Sequence, residues 1–224
     1  MPFATSRRAL VAGLCAVALA WTSFAAAARD TLAGRYRLHD GPDVASELIL
    51  RADGRFQYFL MAGSLDEQAQ GTWLVDGKVL KLTTLPKPVP AVFTAGPAAA
   101  TPDGRLAIHV TDPAGRGIAS VYFTLGFDSG PPVTGYTQDY GWTLPEGEDR
   151  APRWIELSVP IHDLQPPRFL LDVSKGNAVT FILTANDLGT IDFSGMRIDI
   201  QPGRLVMHRH GTLIAYEASE PKGQ

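Results

Sequence analysis

After residue 30, apolar and polar positions alternate or fall into short β-branched and aromatic runs along nearly the whole chain. Glu47 to Arg51 and Arg55 to Leu60 flank Ala52-Asp53-Gly54, where Asp-Gly tolerates the positive φ angles of a tight hairpin turn. Gly71 to Val75, Asp76-Gly77 and Lys78 to Leu82 repeat that signal. Between the two hairpins Gly63 to Gln70 (GSLDEQAQ) is polar and reads as a connection. Near the C-terminus, Met196 to Gln201 alternates strictly, Pro202-Gly203 turns the chain, and Leu205 to His210 runs back. Gly211 then opens Thr212 to Tyr216, and the polar tail 217–224 frays. No stretch keeps a 3.6-residue period over the length an amphipathic helix needs. The prediction is all-β.

The rhythm changes between Leu85 and Pro102, where Pro86, Pro88, Pro90, Pro97 and Pro102 accompany Ala98-Ala99-Ala100. Proline removes a ladder donor and fixes φ, so this segment reads as an extended connector holding one short strand at 91–94. A module boundary is placed near 102. Beyond it, Leu106 to Thr111, the turn Asp112-Pro113-Ala114-Gly115 and Gly117 to Leu125 predict another hairpin. A further turn follows in Gly135 to Trp142.

Two resemblances rest on these residues. Gly34-x-Tyr36, Leu48-x-Leu50-x-x-Asp53-Gly54-x-Phe56, Gly71-Thr72-Trp73 and Asp76-Gly77-Lys78-Val79-Leu80 are similar to small lipocalin-like barrel domains of bacterial envelopes. The Asp112-x-x-Gly115 turn, its flanking strands and the turn around Asp139 resemble the prealbumin-like modules of carboxypeptidase regulatory domains, although Gln138 shifts the second motif out of register. The first resemblance implies an antiparallel barrel or sandwich; the second implies a β-sandwich scaffold without catalytic residues. Residues 34–95 supply five or six strands, too few for the eight of a small closed barrel. The expected organisation is therefore 29–102 as the lipocalin-like module, 103–190 as the prealbumin-like module, and 191–224 as strands that complete the first. In that arrangement the second module is an insertion. Two modules in series, divided near 102, are the competing arrangement.

The first 28 residues read as an export signal. Arg7-Arg8 precede the apolar run Leu10 to Ala20, and Ala25 to Ala28 offers small residues for cleavage. The pair within Ser6-Arg7-Arg8-Ala9-Leu10 leaves general and twin-arginine export both open. Cleavage implies a periplasmic or secreted protein without a transmembrane span. The sole cysteine, Cys15, leaves with the signal, and Leu14 before it does not suit a lipid anchor. The mature chain then has neither disulfide nor thiolate. Removing Arg7 and Arg8 leaves 18 Lys and Arg against 23 Asp and Glu, a balance of −5. That mild acidity argues against nucleic acid as a partner.

Candidate chemistry is sparse. No G-x-S-x-G elbow is present, and no Gly-rich phosphate loop leads into a helix. Carboxylates for glycoside hydrolysis are scattered, and sequence spacing does not show two of them meeting across a cleft. His208-Arg209-His210 has one metal-like feature. On a strand, residues i and i+2 share a face about 6.6 Å apart, and His39 or Asp40 would supply a further ligand. Without a patterned third ligand this remains a weak metal candidate, and no cofactor is expected. Phe56, Tyr58 and Trp73 read first as core, while Trp142 and Trp154 fall in a loop-like stretch suited to a carbohydrate or partner surface. The expected function is a non-catalytic exported scaffold binding a small ligand or an envelope protein. A glycan or lipid hydrolase with a site assembled from distant residues is the alternative.

Overall fold

The computed structural model describes residues 31–38, 43–164 and 168–219. The segment read as an export signal, with Cys15, and the pair His39-Asp40 lie outside the described residues. Five strands come first: β1 (Gly34–Leu38), β2 (Val44–Leu50), β3 (Arg55–Ala62), β4 (Leu65–Asp76) and β5 (Val79–Thr84). Eight follow: β6 (Val92–Ala99), β7 (Ala107–Thr111), β8 (Tyr122–Phe127), β9 (Val133–Tyr136), β10 (Trp142–Thr143), β11 (Pro152–Ser158), β12 (Phe169–Leu170) and β13 (Ala178–Thr184). The last three are β14 (Ile198–Gln201), β15 (Arg204–Arg209) and β16 (Thr212–Ala218). As the patterning predicts, the fold is all-β.

The chain divides into two compact units, 1–88 with 189–224, and 89–188. In the first, β1 to β5 and β14 to β16 form a closed antiparallel barrel of eight strands, with β1 bonded to both β2 and β16. With the insertion set aside, each strand neighbours its successor, which is the up-and-down order compatible with a lipocalin-like fold. Period-two alternation fills the interior with Leu48, Leu50, Phe56, Tyr58, Trp73, Leu80, Leu205, Met207 and Tyr216. Phe193, from the segment before β14, also enters this core and meets Phe56 and Tyr58 edge-on at 5.6 and 5.0 Å. That contact adds to the area the rings bury.

The polar stretch read as a connection is strand. Only Gly63-Ser64 turns the chain, Ala62 pairs with Leu65, and β4 runs twelve residues. Its alternation holds because Glu67 and Ala69 face inward between exposed Asp66, Gln68 and Gln70. The upper part of β4 outruns β5 and instead bonds the returning chain, with Gln68 donating to Gly189 O and accepting from Ile191 N–H, both at 2.9 Å. The buried Thr84 hydroxyl ties the two chain crossings together, donating to Ile191 O at 2.8 Å and accepting from Phe193 N–H at 3.0 Å.

In the second unit, β10-β7-β13-β6 and β12-β11-β8-β9 are two four-stranded sheets around one apolar core. Phe169 against Phe181 at 5.0 Å and Phe123 against Trp142 at 4.8 Å join the sheets across it. The chain leaves the barrel at Pro88, earlier than the expected boundary near 102, because the proline-rich connector contains β6. Pro97 fits there for two reasons: β6 is an edge strand, and its register against β13 shifts beside Gly96 and Pro97.

Candidate functional site

Three places gather chemistry. Inside the barrel, alternation on β4 and β15 turns Glu67 and Arg209 inward from positions 142 residues apart. Arg209 donates Nη1 to Glu67 Oε2 at 2.5 Å and Nη2 to Oε1 at 2.6 Å, a two-pronged pair largely out of solvent. Tyr58 OH reaches the same carboxylate at 3.4 Å. Tyr216 OH lies 2.9 Å from Ser46 Oγ, which donates to Phe59 O at 2.7 Å. Burial raises the pKa of both tyrosines above the ordinary phenol value, and Glu67 adds to the rise at Tyr58. The Glu67 hydrogen bonds hold the Arg209 guanidinium firmly charged. Each polar group of this cluster therefore has a partner, as a network held out of water requires.

The second place is a half-open cleft of about 250 Å³ on the outside of the barrel, lined by Arg51, Arg55, Gln57, Gln70, Thr72 and Leu85 with Phe56 and Gly71. Arg51 and Arg55 face each other at the base of the β2–β3 hairpin, where Arg51 N–H donates to Arg55 O at 2.8 Å. Trp73 straps this turn down: its indole N–H donates to Arg51 O at 2.9 Å and its backbone N–H to Gly54 O at 2.8 Å. Thr72 pairs with Arg55, and Gln70 with Gln57, so two cross-strand rows form the wall. Between them the β5 backbone comes so close at Gly71 that a Cβ there would lie 1.9 Å from Thr83 O.

The third place is the outer face of the β12-β11-β8-β9 sheet. Tyr122 and Tyr136 pair across β8 and β9 with rings 5.8 Å apart, and each is about half exposed at 50% and 51%. On the same face Trp154 lies over Gly126, beneath the Arg168 guanidinium at 3.7 Å, and Arg168 also bonds Glu156 at 2.9 Å. Leu170, cross-strand from Trp154, is 84% exposed. The segment read as loop therefore places its tryptophans on strands: Trp154 outside on β11, Trp142 packed on Phe123. Phe56, Tyr58 and Trp73 are barrel core.

The histidine pair does not share a strand face. β15 ends at Arg209, and His210-Gly211 are the two turn residues of the β15–β16 hairpin, with φ of 48° and 76°. The i, i+2 spacing therefore spans a reversal of the chain. His208 points outward and holds Asp199 at 2.8 Å, while Arg209 between the two histidines points into the barrel. The further ligands considered, His39 and Asp40, fall outside the described residues. Among the described residues no group of three or more His, Cys, Asp or Glu is gathered for a metal. No family model, curated protein or solved structure matches this chain.

Proposed function

We propose that this chain is an exported, non-catalytic β scaffold, a lipocalin-like barrel carrying a prealbumin-like sandwich, that binds a glycan component of the envelope through the outer sheet face of the sandwich. The observation that carries this reading is the exposed tyrosine pair Tyr122–Tyr136, on a face that also holds exposed Leu170 and the half-buried Trp154 beneath Arg168. Aromatic faces left in water on a flat sheet mark a surface that is covered in use. Rings flanked by Thr124, Thr134, Glu156 and Arg168 offer sugars both stacking surfaces and hydrogen bonds. The carboxylates with lowered pKa are each accounted for by neighbours: Asp76 by Lys81, Asp103 by Arg105, Asp112 by Arg116, Asp172 by Ser174 and Lys175, Asp192 by Ser194, Asp199 by His208 and Arg197, and Glu148, drawn down to about 2, by Arg150. Such local pairs are structural and differ from the converging, mutually perturbed groups of an acid–base site.

Titration calorimetry with soluble oligosaccharides released from purified cell wall tests this. The native protein is expected to bind, and Tyr122→Ala with Tyr136→Ala to lose at least tenfold in affinity while keeping its fold. Unchanged binding in that variant removes the face from consideration. Release of new reducing ends from the probe by the native protein replaces the binding reading with a hydrolase.

A further inference from the structure

We infer that the cleft at the β2–β3 hairpin is a separate binding site for a small sugar-like molecule bearing one phosphate or carboxylate group. This goes beyond the aromatic face and rests on a different unit of the chain. Charge is the first argument. Arg35, Arg37, Arg105, Arg116, Arg150, Arg168, Arg197 and Arg209 each pair with a carboxylate. Arg51 and Arg55, like Arg153 and Arg204, have no carboxylate partner among the described residues, but Arg51 and Arg55 line one cleft together, in a chain with an excess of acids. The nearest acid in sequence, Asp53, sits in the turn and accepts the Arg55 backbone N–H at 2.9 Å.

Placement is the second argument. Facing residues at a hairpin base carry their Cβ atoms roughly 5 Å apart, and like charges so placed repel. An anion between two guanidiniums removes that repulsion and accepts forked hydrogen bonds from both. The backbone beneath them is fixed by the Trp73 indole and by the Arg51–Arg55 hydrogen bond, so binding needs little ordering of the main chain. Arg51 Nη2 already leans to Gln57 Oε1 at 3.1 Å, within the cleft.

Size and lining are the third. A volume of about 250 Å³ lies just below that of pockets for drug-sized ligands, which fits a single ring with one charged substituent. The amides of Gln57 and Gln70 and the hydroxyl of Thr72 both donate and accept, as ring hydroxyls require. Leu85, exposed at the cleft, supplies apolar surface for a ring face.

The experiment follows the Trp73 indole N–H by two-dimensional NMR, because that proton bonds to the carbonyl of Arg51. The full mature protein is titrated separately with glucose 6-phosphate, glucuronate, inorganic phosphate and glucose. Saturable shifts of the Trp73 signal are expected with at least one of the two sugar anions at millimolar concentration, and the tighter of these identifies the charged group. Glucose should leave the signal in place. Arg51→Gln with Arg55→Gln should weaken binding at least tenfold while the unliganded Trp73 signal still reports a folded barrel. Gln57→Ala with Gln70→Ala should weaken the sugar anions and spare inorganic phosphate. No response to either sugar anion, an equal response to glucose, or undiminished binding in the double arginine variant overturns the proposal.

Discussion

The barrel and the sandwich dispose of sheet edges in opposite ways. In the barrel each strand has two partners and the ring closes through β1 and β16, so no edge is left to pair with another chain. In the sandwich β6, β9, β10 and β12 remain edges, blunted by shortness or by Pro97. Closure fixes the interior that must be filled, and the barrel fills it with Phe193 from a loop and with the Glu67–Arg209 pair. The sandwich core is apolar, with Thr137 as its buried polar side chain among the described residues. A closed ring thus depends on a few contacts between distant parts of the chain, whereas stacked sheets spread their stability over many interchangeable ones.

That difference is sharpest when the chain is cut. Residues 29–88 lack β14 to β16, so the ring stays open and Phe193, Met207 and Tyr216 are missing from its core. A domain with a total stability of about 5–15 kcal/mol does not survive such a loss. This fragment should aggregate or stay unfolded, while residues 89–188, which contain their whole core, should give a dispersed NMR spectrum. A folded 29–88 fragment would show that closure is dispensable.

Next in size is the buried ion pair. Glu67→Ala or Arg209→Ala leaves an uncompensated charge and should lower barrel stability by about 3–5 kcal/mol in urea denaturation. Glu67→Leu combined with Arg209→Met should recover most of that loss, since hydrophobic replacement of a buried pair is often neutral. If the single variants unfold at the native midpoint, the pair is not buried in solution.

Alkaline pH gives the smallest and most selective effect. Tyr58 and Tyr216 have pKa values raised by burial, while in the unfolded chain they ionise near 10. Below that value both states hold the phenol protons; above it only the unfolded state releases them, so barrel stability falls as pH rises. The thermal midpoint of the barrel should drop between pH 9 and about 11 ahead of that of the isolated sandwich, whose Tyr122, Tyr136 and Tyr140 lie exposed at its surface. Tyr58→Phe should flatten the barrel's decline. Parallel decline of the two units would show that the buried phenols are not its cause.

Legibility followed the range of the contacts. The β2–β3 and β4–β5 hairpins and all three C-terminal strands are set by turn residues and alternation within a few positions, and they stand out in the sequence. The start of β4 does not, because its inward position is a glutamate whose partner lies on β15. β6 stands out only at its start, as the short strand expected at 91–94; beyond it the prolines read as a break, and only the edge position and the register shift make room for Pro97. The cleft escaped for a related reason. Arg51 and Arg55 flank a turn that was legible, but Gln70 and Thr72 join them only through the cross-strand register. His208-Arg209-His210 misled because a run of six residues was extended past the turn by one, which moved His210 off the strand.

The Thr84 hydroxyl makes the insertion replaceable. One oxygen holds both the departing and the returning chain, across 107 residues of sequence, so the ring senses the two crossings and not what is strung between them. The entropy of closing a flexible loop grows by only about 0.6 kcal/mol for each doubling of its length. The barrel is in this sense a mount, and the polypeptide between residues 88 and 189 is a cassette that a short glycine-serine bridge or a foreign domain with neighbouring termini can occupy. Acquiring or exchanging a recognition surface would then need no repacking of the barrel interior.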